Sequence, residues 1–282
     1  MAVRRPAVAG TFYAATPSSL KQQIIDSFNH KLGPGKLPGE KVDSCVSAII
    51  APHAGYVYSG PSAAHAYLRL AEQEKPDTVV VIGPNHTGRG TPVSIMGEGY
   101  WETPFGNVEL DSEVAEAIIQ GSNIARLDDT AFIREHSVEV QVPFLQYIYP
   151  EFKLVPICMG YQDLETSIDL GRAIYAAIKG RDALIVASSD LNHMEPKAVS
   201  NKKDKYVLDA LEAMDEVQLQ ESVKRERITT CGYGPISATL VASKLGGAKS
   251  AEVLSYYTSG DIIGDDHSVV GYASAIISRE EK

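Results

Sequence analysis

The chain has 282 residues, room for one large domain or two small ones, and at that length roughly three quarters of the unfolded surface is buried on folding without disulfide staples. Lys and Arg number 26 against 36 Asp and Glu, and the resulting net charge of −10 argues against nucleic acid or an anionic membrane surface as partner. Three widely spaced cysteines, Cys45, Cys158 and Cys231, fit a reducing compartment and exclude a disulfide framework. With no apolar run of about 18 residues and no signal-peptide pattern, a cytoplasmic location is expected.

Taken in chain order, Thr16-Pro17 opens a helical period over 18–32, and the Gly- and Pro-rich stretch 33–41 reads as a surface loop. The apolar run 46–51 has the β-branched content of a strand covered on both faces and ends in Pro52-His53-Ala54-Gly55-Tyr56. A helix is predicted over 61–74, then a buried strand over 78–82 that ends in Gly83-Pro84-Asn85-His86. Segment 93–110, with Gly97, Gly99, Pro104 and Gly106 among β-formers, reads as a hairpin excursion. Glu135-His136-Ser137-Val138-Glu139 places His136 and Glu139 on one face if helical, but it lacks the second histidine of the His-Glu-x-x-His zinc signature.

A strand over 152–158, a helix over 163–179 stopping at Gly180, and a strand over 183–187 follow; the last runs into Ser188-Ser189-Asp190-Leu191-Asn192-His193. Pro235 begins a helix over 236–245, so Cys231 precedes a helix N-terminus, a position that lowers a thiol's pKa. Segment 251–278 reads as two closing strands around Gly264-Asp265-Asp266, with His267 in the turn. Strands alternating with helices, and no linker, predict one α/β domain with a mainly parallel or mixed central sheet flanked by helices. His30 and His65 fall on predicted helices and Cys45 and Cys158 on apolar runs, all with structural roles.

Ligands of open α/β sheets bind beyond the carboxyl ends of the strands, where this chain puts His53, His86, Asp190 and His193 from three separate strands. Imidazoles suit Fe, Zn and Cu, and a carboxylate or the Cys231 thiolate could complete a three-residue set. His136, Glu139, Tyr56 and His267 are expected at the substrate pocket. The absence of a Gly-x-Gly-x-x-Gly, a P-loop or a Gly-x-Ser-x-Gly elbow leaves nucleotide-dependent and serine-hydrolase chemistry without support.

These segments, with Arg5-Pro6-Ala7-Val8-Ala9-Gly10-Thr11-Phe12-Tyr13 and Cys231-Gly232, resemble the Memo family over nearly the whole chain. That family is similar to the class III extradiol dioxygenases, which cleave catechol rings with non-heme Fe(II) held by two histidines and a glutamate. The resemblance implies a class III extradiol dioxygenase-like fold. It also implies His53 and His86 as metal ligands, Cys231 in the place of the carboxylate ligand, and His193 with Asp190 as acid–base groups. Fe(II) is then the expected metal, with Zn or Cu as alternatives, and AMMECR-type and radical-SAM proteins are implied as functional associates.

Two function classes follow. One is a metal-dependent oxidoreductase acting on a small molecule, with a hydrolytic His2Cys centre as a close variant. The other is a non-catalytic protein whose pocket binds a peptide or metabolite around a vestigial site. Converging ligand types at strand ends favour the first.

Overall fold

The computed structural model describes residues 2–41 and 45–279. Strands Val46–Ala51, Ala183–Ser188, Thr78–Pro84 and Lys153–Met159 lie side by side in that order and are parallel. The sheet continues on one side through the antiparallel strand Val269–Arg279, which also pairs with His193–Glu195 and with Ala248–Thr258. On the other side Val93–Ile95 runs antiparallel to Lys153–Met159, and Ala125–Leu127 completes the edge. The result is the expected mixed α/β sheet. The three strands predicted to carry the site are neighbours, with their carboxyl ends on one edge.

The apolar runs lack strict alternation because both faces are covered. Val80 and Ile82 point into one helical layer with Val114, Ile118, Leu170, Ile174 and Leu240. Val79 and Val81 point into the other, with Leu20, Ile24, Phe28, Tyr67 and Phe144. Asp163 caps Leu164–Ile178 by accepting the Thr166 N–H at 3.0 Å, as its place before the helical period predicts.

Three local expectations are corrected. The helix predicted over 61–74 runs from Tyr56 to Ala71, with Pro61 inside it. Proline disrupts the ladder there, and the Tyr257 hydroxyl bridges the gap, donating to the Tyr58 carbonyl at 2.6 Å and accepting from the Ser62 N–H at 3.1 Å. In segment 93–110, only Tyr100–Thr103 and Gly106–Glu109 form a hairpin, flanked by Val3–Arg4, whereas Val93–Ile95 belongs to the main sheet. Glu135 to Ser137 are not helical, and a short 3-10 turn covers Glu139–Gln141. His136 and Glu139 therefore share no helical face.

The closing strands form around a short helix, Ser259–Ile263, that ends at Gly264 with φ +77°. His30 and His65 both bond Leu32, tying down the loop after the first helix. Among the described residues, no helix is long and apolar enough to cross a membrane.

Candidate metal centre

The two histidines of the site leave strand ends. His53 follows Val46–Ala51 by two residues and is buried; His86 follows Thr78–Pro84 by two and is exposed at the mouth. Cys231 arrives from the other direction, on the turn before the helix Tyr233–Leu245. That turn is stitched to the loop after Ala183–Ser188: the Cys231 N–H donates to the Asp190 carbonyl at 3.3 Å and the Gly232 N–H to Ser189 Oγ at 3.0 Å. Position 232 requires glycine, because a Cβ there would sit 2.5 Å from the Ser188 carbonyl oxygen.

One ligand atom from each of His53, His86 and Cys231 lies within 4.8 Å of the others. A point about 2.8 Å or less from all three therefore exists, and inward shifts of at most about 0.5–0.8 Å bring it to ligand bonds of about 2.0–2.3 Å. The expected trio comes together. His53 Nε2 and Cys231 Sγ are 3.2 Å apart, and the His53 and His86 ring centroids 5.2 Å.

The surroundings fix which nitrogen faces that point. The Ser188 hydroxyl donates to the Ser137 carbonyl at 2.6 Å and accepts from Gln141 Nε2 at 2.8 Å, so its remaining lone pair accepts from His53 Nδ1 at 2.9 Å. His53 thus carries its proton on Nδ1 and presents a bare Nε2. His86 does likewise, donating from Nδ1 to Glu135 Oε1 at 2.9 Å. A carboxylate behind a ligating imidazole orients the ring and raises its basicity.

Electrostatics agree with this arrangement at His53 but not at His86. There burial works downward, and the hydrogen bond and charge of Glu135 outweigh it, raising the His86 pKa toward the protonated ring that a bound cation would have to deprotonate. Burial, with neighbouring histidines, pushes the His53 pKa well below the ordinary range and keeps the ring neutral. Burial lowers the His136 pKa to about 4. For Glu135, burial works upward, but the His86 hydrogen bond and backbone N–H donors outweigh it and bring the carboxyl down to about 2. The expectation of a low-pKa Cys231 is corrected for the protein alone. Burial, reinforced by the Asp190 carboxylate, drives the thiol well above its usual value and outweighs the helix N-terminus. A bound cation reverses that balance, since a coordinating thiol loses its proton.

His86, Glu135 and His136 form a second group with metal-ligand spacing. Its carboxylate already accepts from His86 Nδ1 and from the N–H groups of His86, His136 and Ser137, so its lone pairs serve to orient His86.

The remaining expected residues divide. Asp190 is buried beside the trio, its Oδ1 accepting the N–H of His53 at 2.8 Å and of Ala54 at 3.3 Å, and burial raises its pKa. His193 lies three residues beyond Asp190, half-buried, and its contacts are to Thr229: its N–H donates to the Thr229 hydroxyl at 2.7 Å. The His136 ring stacks on His86 at 4.6 Å and meets Phe12 edge-on at 4.7 Å, which makes it a wall of the site.

Tyr56 and Glu139, expected at the pocket, turn into the core. The Tyr56 hydroxyl donates to the Val140 carbonyl, and Glu139 accepts from Arg4, Tyr13 and the N–H groups of Ala7 and Val8, anchoring the N-terminal segment. His267 is exposed in the closing turn, where its N–H donates to Asp265. Sequence reasoning missed Ser188, Gln141 and the orienting role of Glu135. Only Glu135, beside His136, left a signal.

The fold and this donor set define an α/β protein with a two-histidine, one-thiolate candidate metal centre at the carboxyl edge of its parallel strands. The family described as Memo-like protein matches residues 4–276, and the chain belongs to that family. It is 49% identical to a MEMO1 family protein of Methanothermobacter thermautotrophicus, over 96% of this chain and 99% of the relative. A MEMO1 family protein of Methanopyrus kandleri is 47% identical over 98% and 99%, and one of Methanocaldococcus jannaschii 45% over 98% and 99%. An uncharacterised Escherichia coli K12 protein of known crystal structure shares the fold, with TM-score 0.56 and 16% identity over 82% of this chain and 99% of its own.

Proposed function

We propose that the chain is a metal-dependent oxidoreductase related to the non-heme extradiol dioxygenases, with His53, His86 and Cys231 as ligands. The observation that carries the reading is the convergence of those three donors within 4.8 Å, each imidazole held with Nε2 inward by Ser188 or Glu135. Two imidazoles and a thiolate suit Fe, Zn or Cu and not Mg or Ca, and Fe(II) is the proposed metal. When bound, it supplies a Lewis-acidic, redox-capable centre with open positions for substrate. The chain's own groups do the rest. His193 takes up a proton from the substrate and returns it. Asp190 holds the His53 and Ala54 backbone, and its charge favours a cation beside it. The His136 ring, kept neutral, walls the site without adding charge. The proposed ligand is a small molecule or peptide end, and functional association with AMMECR-type and radical-SAM proteins belongs to the same proposal, on the family resemblance.

The test is elemental analysis of anaerobically purified protein followed by oxygen uptake with a series of catechols; exclusion of air protects the thiolate from oxidation. About one metal per chain is expected, lost in Cys231→Ala, together with substrate-dependent oxygen uptake. A chain that takes up none of Fe, Zn or Cu overturns the metal reading. A chain that holds metal, consumes no oxygen and binds peptide or metabolite equally well without metal is the non-catalytic binding protein instead.

A further inference from the structure

Asn192 is fully buried between Asp190 and His193, and its amide is used in both directions. Nδ2 donates to Glu195 Oε2 at 2.7 Å and to Ser200 Oγ at 3.1 Å. Oδ1 accepts the Thr229 N–H and the Thr229 hydroxyl, each at 3.0 Å. Because the Thr229 N–H can only donate, the amide orientation follows from its partners. The Asn192 backbone is pinned as well: its N–H donates to Asp204 Oδ1 at 2.8 Å, and its carbonyl accepts from the Gly271 N–H at 3.0 Å. Asp204 is itself buried on the helix Lys197–Glu212 and accepts the Tyr256 hydroxyl at 2.8 Å.

Thr229, at the rim, passes this fixity to His193. Its hydroxyl oxygen accepts the His193 N–H at 2.7 Å, and its carbonyl oxygen lies 3.0 Å from His193 Nδ1. A carbonyl only accepts, so Nδ1 carries the proton and Nε2 the lone pair. This clamp matters because His193 is only half-buried, on a short edge strand that bulges against Val269–Arg279, and the next residue, Met194, stands at φ +59°. No packed core would otherwise hold the ring in one rotamer and one tautomer.

We propose that Asn192 is a positioning residue for His193: by holding Thr229 it fixes the imidazole as the Nδ1–H tautomer and leaves Nε2 as the basic atom. Its functional meaning rests on the proton-transfer role proposed for His193, whereas the geometry does not. Thr229 is the relay, and Asp204 and Ser200 are the anchor.

Long-range ¹⁵N–¹H NMR of the metal-free protein at about pH 7.5 reads the tautomer directly. The His193 signals are assigned by their loss in His193→Gln. Wild type is expected to show a protonated Nδ1 and a bare Nε2 at His193. In Asn192→Ala the two nitrogen shifts should move toward one another as the tautomers mix, while His30 and His65 keep theirs. Should Asn192→Ala not fold, Thr229→Val removes the hydroxyl that receives the His193 N–H and should give the same movement, with Thr229→Ser restoring the wild-type pattern. An Nε2–H tautomer in wild type overturns the proposal, as do unchanged His193 shifts in whichever variant is folded. If the shifts move as expected but His193→Ala keeps full turnover, the positioning role stands and the proton-transfer role falls.

Discussion

Replacing Glu135 by Gln tests the ligand geometry without touching a ligand. The Glu135 carboxylate accepts four N–H groups: Oε1 takes His86 Nδ1 and the backbone of His136 and Ser137, and Oε2 takes the backbone of His86. A glutamine has one carbonyl oxygen. Placed at the Oε1 position it keeps three partners and turns its NH2 against the His86 N–H. One buried donor is then unpaired, which costs about 1–3 kcal/mol of stability. The charge behind His86 is lost as well, and losing such an outer-shell carboxylate typically weakens metal binding about 10–100-fold, or about 1.4–2.8 kcal/mol. The acid limb should also flatten. Glu135 is held down near 2 against 4.5 when unfolded, so its contribution is present above about pH 4.5 and is lost as pH falls toward 2. The assay is chelator competition under nitrogen with Zn(II) or Fe(II), with circular dichroism confirming the fold and urea melts giving stability. A folded Glu135→Gln that binds metal within about twofold of wild type refutes the argument that Glu135 orients His86 for ligation.

His53→Ala should lose most of its metal, whereas His193→Ala should keep it and slow turnover by about 10²–10⁴-fold; equal metal loss in both, by elemental analysis, would make His193 a ligand. Asp204, buried and raised to about 6 from 3.8, binds its proton more tightly folded than unfolded, so stability should fall by on the order of 2–3 kcal/mol as pH rises from about 4 to about 6. Asp204→Asn should erase that slope in urea melts across the window, and an unchanged slope would assign it to another group. Gly232→Ala places a Cβ 2.5 Å from the Ser188 carbonyl and 2.6 Å from Ser189 Cβ, so it should cost about 1–3 kcal/mol and displace Cys231, weakening metal binding. Gly39→Ala, with nothing within 4 Å, should change neither quantity, and equal effects in the two variants would refute the clash argument.

Much of the fold and of the candidate ligand set was legible in one dimension. The runs 46–51, 78–82, 152–158 and 183–187 are short, β-branched and apolar because strands covered on both faces have no polar side to show, and each appears as a strand within one or two residues at either end. Parallel strands joined by helices put their carboxyl ends on one edge, so His53, His86, Asp190 and His193 had to approach one another once those strands were recognised. Tertiary structure alone decided the rest. Cys231 was expected beside the histidines from its residue type and the family resemblance, but the hydrogen bonds that hold it there, to Asp190 and Ser189 some forty positions earlier, follow from no local spacing. Glu139 and Tyr56 look like pocket residues by position, yet Arg4 and Tyr13 from the N-terminal segment claim one, and the Val140 carbonyl the other. Thr229 carries no motif, and it meets His193 in a network with Asn192, whose N–H donates to Asp204 on the helix Lys197–Glu212. Burial reversed the effect expected of the helix N-terminus on Cys231, because desolvation is a property of the packed surroundings and not of the neighbouring residues in the chain.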